Sequence, residues 1–252
     1  MRPTQIRDFE MTNFKLVTIL AFAMSVFVLT GCKNDDKVEV DEQGLTKDIR
    51  ALIPDNILQG IIDLGMPIYG GNTPPDITGT FLCSPSILVS SNFNDGNKPG
   101  FQFNDVKIIY SEQNNKKLTI KVQQIENNLD GDGIGGFIVG KNKNFTVFVG
   151  LDNEDNHGHK NKTAMLYSGI MSDEGIKDLY MSLVMIDDGG DPDNNLIENG
   201  NARLVYDSDG LSERTTLADA PAKSPSQNIK GTSFETRLPG ICFDSNGLKT
   251  EK

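Results

Sequence analysis

From residue 79 onward the chain alternates between hydrophobic and polar positions in short segments separated by turn residues, a pattern that indicates β-strands. In residues 117–122, Leu118, Ile120 and Val122 fall on one face, while lysines and a threonine fall on the other. Residues 179–186 also alternate but are apolar on both faces, which predicts a covered, central strand. We predict strands at residues 79–84, 101–111, 117–124, 135–140, 146–151, 162–171, 179–187, 202–206, 213–217 and 231–243.

Ahead of these strands lies one segment with helical spacing. Ile57, Leu58, Ile61 and Ile62 recur at intervals of three and four, which predicts an amphipathic helix at about residues 54–64. Consecutive antiparallel strands without long helices between them must close or stack to hide their edges. The sequence therefore predicts a mostly β fold: an antiparallel up-and-down β-barrel of the lipocalin or calycin type with one short N-terminal helix. A two-sheet β-sandwich is the alternative.

The N-terminal segment carries a targeting pattern. Residues 16–30 form a run of fifteen without a charge, with Lys15 before it and Leu29-Thr30-Gly31-Cys32 at its end. Such a run is short for a transmembrane helix. The ending resembles the lipobox of bacterial lipoproteins, in which signal peptidase II cuts before the cysteine and the cysteine is acylated. The resemblance implies a cell-envelope protein that is anchored to a membrane by lipid on Cys32.

The segment after Cys32 is polar and acidic, as expected for a tether. Its first residues, 33–36, resemble the acidic export signal of surface lipoproteins from Bacteroidetes, which implies an outer-membrane protein exposed at the cell surface. Residues 66–75 and the strand after them resemble the domain start of uncharacterised Bacteroidetes lipoproteins, a family without an assigned activity. We therefore divide the chain into a signal peptide (1–31), an acylated cysteine with an acidic tether (32–46), and one β domain (47–252).

The charge of the chain limits its partners. The 252 residues include 24 basic and 35 acidic residues and carry a net charge of −11. Nucleic acid is a poor partner for such a surface, because phosphates require lysine and arginine to replace their counterions. The same overall charge disfavours adhesion to anionic lipid, so membrane contact is expected through the lipid anchor. Calcium is a better partner on charge alone.

Two cysteines remain once Cys32 is acylated. Cys83 and Cys242 lie near the beginning and the end of the predicted domain, and an isolated pair in an oxidising compartment is a candidate disulfide. Two separate buried thiols are the alternative, since free cysteine is among the residue types most often buried.

One acidic segment has the opening of a calcium loop. Asn128, Asp130 and Asp132 occupy the first, third and fifth positions of an EF-hand pattern, but Val139 stands where its glutamate should be. A calcium site would need further ligands from acidic turns at 152–155, 187–193 and 207–210. Turn formation alone also explains these residues. The two histidines, His157 and His159, are best explained as part of an exposed loop.

The sequence shows no combination of residues that is typical of a catalytic site. We predict a non-catalytic, lipid-anchored binding protein for a small apolar or amphiphilic ligand in the barrel or for a partner at its rim. The alternatives are a surface adhesin or structural lipoprotein with acidic, calcium-binding loops that contact glycans or protein and, less favoured, a hydrolase that uses paired carboxylates.

Overall fold

The structure, a computed structural model, describes residues 37–94, 96–125, 134–154, 159–191 and 196–216. Two short helices precede the sheet, α1 (Lys47–Leu52) and α2 (Asp55–Asp63). The helix predicted at 54–64 is therefore confirmed as α2, whereas α1 was not predicted. Helix α1 begins after Thr46, whose hydroxyl accepts a hydrogen bond from the Ile49 backbone N–H at 3.2 Å.

Strands account for most of the remaining described chain. Nine of the ten predicted strands have a counterpart, and the segment predicted at 231–243 lies outside the described residues. The strands are β1 (Asn72–Thr73), β2 (Gly79–Cys83), β3 (Ser86–Ser91), β4 (Val106–Asn114), β5 (Thr119–Ile125), β6 (Ile134–Lys141), β7 (Asn144–Glu154), β8 (Lys160–Met171), β9 (Gly175–Asp187), β10 (Ala202–Asp207) and β11 (Leu211–Arg214).

Eight of these strands close into an antiparallel barrel, in the order β2, β4, β5, β6, β7, β8, β9 and β11. Closure is made by β11, which pairs with β9 on one side and with β2 on the other. Strands β4 to β9 each pair with the next strand in sequence, so the chain runs alternately up and down. The predicted up-and-down barrel is confirmed.

At the place where the barrel closes, each of the two neighbouring parts of the wall is made of two strands that follow one another in the chain. Strand β3 continues β2 beyond Ser84 and Pro85, and β11 continues β10 after a turn at 208–210. The two composite strands pair along their length, with Asp207 opposite Ser86 and Glu213 opposite Leu82. Strand β3 was not predicted, because the prolines around it resemble loop sequence.

The barrel has two unlike ends. Tight turns join β4 to β5, β6 to β7 and β8 to β9 at one end, which we call the hairpin end. Longer connections join β3 to β4, β5 to β6, β7 to β8 and β9 to β10 at the opposite end, which we call the loop end.

Two separate hydrophobic clusters lie on the two faces of the sheet. Inward-pointing side chains of strands β2 to β10 form the larger cluster. The helices cover the outer face, where Ile49, Ile57 and Ile61 pack against Leu166 and other outward side chains. Sequence analysis placed Leu118 on the same face as Ile120. It belongs instead to the outer cluster, because its positive φ of 54° turns the chain before β5 begins.

The segment predicted as a tether is partly packed on the domain. Val38 and Val40 are half-buried against the outer cluster. The carbonyl of Gly44 accepts a hydrogen bond from the N–H of Gly71 at 2.8 Å, and the carbonyl of Gly71 accepts one from Gly140 at 3.0 Å. Three backbone segments therefore lie against one another beside the end of β6.

Candidate functional site

A groove of about 410 Å³ crosses the outer surface of β4, β5 and β6. This volume is within the range of small-molecule sites, which typically enclose about 300–1,000 Å³. The groove is open to solvent along its length and lies on the barrel wall. The residues that line it include Glu112, Thr119, Lys121, Gly135, Gly136 and Phe137.

Two consecutive glycines of β6 line the groove, and Gly135 is the one that leaves open space in it. A Cβ atom at Gly136 would lie 2.6 Å from the backbone oxygen of Phe148, so the packing of β6 against β7 requires glycine there. A Cβ atom at Gly135 would have no heavy atom within 4 Å. Packing therefore does not require glycine at 135, but a larger side chain at that position would project into the groove.

Charged groups form one wall of the groove. A bulge in β4 gives Glu112 a positive φ of 51°. Its carboxylate lies 3.5 Å from the ammonium of Lys121 on β5. Thr119 and Phe137 are directly paired across β5 and β6, so a hydroxyl and a half-buried ring lie side by side. The groove can therefore offer hydrogen-bond donors and acceptors beside an aromatic surface.

The interior of the barrel is filled over the described strands. Tyr110 lies at its centre, with ring centroids of Phe81, Phe145 and Tyr167 at 6.0, 6.3 and 6.0 Å. The Tyr167 hydroxyl donates a hydrogen bond to Gln124 at 2.9 Å. These aromatic side chains are almost fully buried. Small barrels either fill with side chains or hold one ligand, and aromatic side chains occupy the centre of this barrel around Tyr110.

A small polar cluster is buried where the two composite strands meet. The Ser212 hydroxyl donates a hydrogen bond to Asp207 at 2.5 Å, and the Cys83 thiol lies beside Asp207 and Ser86. The other carboxylate oxygen of Asp207 and the Ser86 hydroxyl have no partner with hydrogen-bond geometry in the structure. Burial raises the pKa of Asp207 to about 7, against the opposing effect of the Ser212 hydrogen bond.

The same burial determines the state of the thiol. Cys83 has no exposed surface, and burial, together with the nearby Asp207 charge, raises its pKa well above the ordinary value. A protonated thiol is a poor nucleophile and metal ligand. Its predicted disulfide partner, Cys242, lies outside the described residues, so the pairing stays a prediction.

Most of the sequence-predicted site residues also lie outside the described residues. These are the lipidation site Cys32, the calcium candidates Asn128, Asp130 and Asp132, and His157. His159 is described and half-buried, immediately before β8.

The three acidic turns named as further calcium ligands do not all gather at one end. Asp152 near the end of β7 and Asp187 at the end of β9 lie at the loop end, as alternating strands require. The turn at 207–210 instead joins β10 to β11, part-way along the barrel wall. Within the described ranges, no group of three or more histidine, cysteine, aspartate or glutamate residues is arranged to hold a metal ion. The calcium site at 128–132 stays a prediction.

Comparison with known proteins identified no relative: the chain matches no protein-family model, no curated protein and no solved structure. Sequence analysis missed the groove, although the Gly135-Gly136 pair within a strand is a signal of close backbone approach or missing side-chain volume.

Proposed function

We propose that this chain is a non-catalytic, lipid-anchored protein of the cell envelope that binds a small amphiphilic molecule in the groove on β4, β5 and β6. The observation that carries the proposal is the combination of a glycine floor, the Phe137 ring and the Glu112–Lys121 pair within one groove of about 410 Å³. An apolar portion of the ligand would lie against the ring. Its polar groups would meet Thr119, Lys121 and Glu112 along the wall.

The filled interior favours this outer site over one inside the barrel. A ligand among the inward side chains would have to displace the aromatic contacts around Tyr110, each of which contributes to the stability of the core. The outer groove needs no such rearrangement, because it is already open to solvent.

Anchoring is supported by the lipobox at Leu29-Thr30-Gly31-Cys32. In the described part of the chain, none of the helices has the length and apolar character needed to span a bilayer. The expected result for the protein purified from membranes is an N-terminal peptide that begins at Cys32 and carries the added mass of acyl chains, measured by mass spectrometry. A peptide that begins upstream of Cys32, or an unmodified cysteine, would contradict the anchoring.

Gly135→Leu is expected to abolish ligand binding while preserving the fold, because a Cβ at this position has no heavy atom within 4 Å and the rest of the leucine side chain would extend into the open groove. Native mass spectrometry of the protein is the measurement. The parent should carry an adduct that survives EDTA and is lost on denaturation, and the variant should lack it.

Gly60→Leu is the matched control, because a Cβ at Gly60 on helix α2 also has no neighbour within 4 Å. It should keep the adduct. Equal adducts on all three proteins would exclude the groove as the site. A parent that loses the mass of one calcium ion on EDTA treatment, and carries nothing else, would instead support the acidic-loop alternative.

A further inference from the structure

The charges of the chain are divided between the two ends of the barrel. The four connections at the loop end, at 92–105, 126–133, 155–159 and 188–201, contain ten acidic residues and one lysine. At the hairpin end, the turns that join β4 to β5 and β6 to β7 contain lysines and no acidic residue. Although the whole chain has a negative net charge, these two turns at the hairpin end therefore form a basic region.

Four lysines form this region, which we call the lysine patch: Lys116, Lys117, Lys141 and Lys143. All four are exposed, and no ion pair among the described residues includes them. Strands β4 to β7 are consecutive neighbours in the sheet. At a strand spacing of about 4.8 Å, the centres of the two hairpins lie about 10 Å apart, so the four ammonium groups share one surface.

The N-terminal segment first contacts the domain at Val38 and Val40 and then passes next to this patch at Gly44. Gly44 is hydrogen-bonded to Gly71, which is in turn hydrogen-bonded to Gly140, the residue before Lys141. Eleven residues lie between Cys32 and Gly44, and the twelve Cα–Cα steps that join the two residues can span at most about 43 Å when fully extended. This length allows the hairpin end to reach the membrane surface, and because it is also long enough for the loop end to do so, the charges of the two ends must determine the orientation.

We propose that the hairpin end docks through the lysine patch on the anionic headgroups of the membrane that carries the anchor, so that the acidic loop end points away from it. This inference rests on the proposed lipid anchoring. Lysines close to an anionic bilayer are attracted to its surface potential, and acidic loops are repelled by it. Because both effects are screened by salt, the orientation should weaken at high ionic strength while the anchor holds.

Neighbouring acidic residues limit the extent of the docking surface. Asp173 and Glu174 lie on the adjacent β8–β9 turn, and Glu42 is exposed on the entering segment. The contact is therefore expected on the side of the hairpin end formed by β4 to β7, which gives the barrel a tilted position.

The test is the quenching of a fluorophore by a lipid with a headgroup nitroxide, using the acylated protein in vesicles of phosphatidylcholine with or without phosphatidylglycerol. The dye is placed at Lys143→Cys on the hairpin end or at Glu198→Cys on the loop end, both with Cys242→Ser. Strand β7 has 11 residues. At about 3.3 Å a residue and a tilt of about 40°, the two ends lie about 25 Å apart, which short-range quenching resolves.

Quenching in phosphatidylglycerol vesicles should be several-fold greater at residue 143 than at residue 198. Replacing Lys116, Lys117 and Lys141 by glutamine should remove the difference, and so should high salt. The matched control replaces three lysines near the loop end, Lys98, Lys160 and Lys162, by glutamine and should keep it. Equal quenching at both positions, or no effect of the patch variant, would overturn the inference. Protein that fails to float with vesicles of either kind would overturn the anchoring as well.

Discussion

Asp207→Asn is expected to remove a large part of the dependence of stability on pH. The Asp207 side chain is fully buried, and its pKa is about 7 in the folded protein against an ordinary value of 3.8. The unfolded chain therefore releases a proton from this group at a lower pH than the folded protein does. The contribution of Asp207 to stability is complete below about pH 4 and declines as the pH rises to about 7.

The size of this effect follows from the shift in pKa. A difference of about three units corresponds to at most about 4 kcal/mol of unfolding free energy lost between pH 4 and pH 7. Asparagine cannot ionise, and its amide can still bond with Ser212. Urea denaturation of the parent and the variant between pH 4.5 and 8 is the measurement. The variant should lose far less stability over this range than the parent.

Asp173→Asn is the matched control, because Asp173 is exposed on the β8–β9 turn. Its pH profile should follow that of the parent. If Asp207→Asn also follows the parent, then the Asp207 carboxyl titrates at an ordinary pH and the polar cluster is not shielded from water.

Gly44→Ala is expected to destabilise the folded protein strongly, because it combines an unfavourable backbone angle with a steric clash. Gly44 has a φ of +77°, and a Cβ there would lie 2.3 Å from the backbone nitrogen of Gly71. The methyl group would force apart the segments that meet beside β6. Overpacking of this kind costs about 1–3 kcal/mol in addition to the backbone strain.

Gly96→Ala isolates the strain from the clash. Gly96 has a φ of +74°, almost the same as Gly44, but a Cβ there has no neighbour within 4 Å. Both variants bear the cost of a left-handed alanine, about 1–2 kcal/mol, and only Gly44→Ala bears the overpacking. The unfolding free energies of the two variants, measured by urea denaturation, should therefore differ by the cost of the overpacking. Equal losses would mean that the entering segment moves aside freely.

Much of the barrel could be predicted from the sequence because alternation is a local property. In residues 179–183, Leu179, Met181 and Leu183 point inward as their spacing predicts. The prediction failed where the backbone departs from regular extension. The positive φ at Leu118 turns its side chain to the outer face of the sheet. A hydrophobic repeat in the sequence does not show where a single residue adopts such a backbone angle.

The candidate site could not be predicted, because it depends on residues that meet only in the folded sheet. Glu112 and Lys121 belong to different strands. Glu112 lies in a bulge of β4, where the regular pairing of β4 with β5 is interrupted, so regular strand pairing does not predict their contact. In the sequence, Asp207 looks like an acidic turn residue. In the structure it is the last residue of β10 and lies in the barrel wall beside Cys83.

Closure of the barrel by β2 and β11 has a consequence for how the chain folds. Leu82 in β2 pairs with Glu213 in β11, which are separated by almost the whole described domain. The hydrogen bonds between β2 and β11 can therefore form only after the chain between them is available. Contacts so distant in sequence slow folding, and until they form, β2 and β9 present unpaired edges that can aggregate.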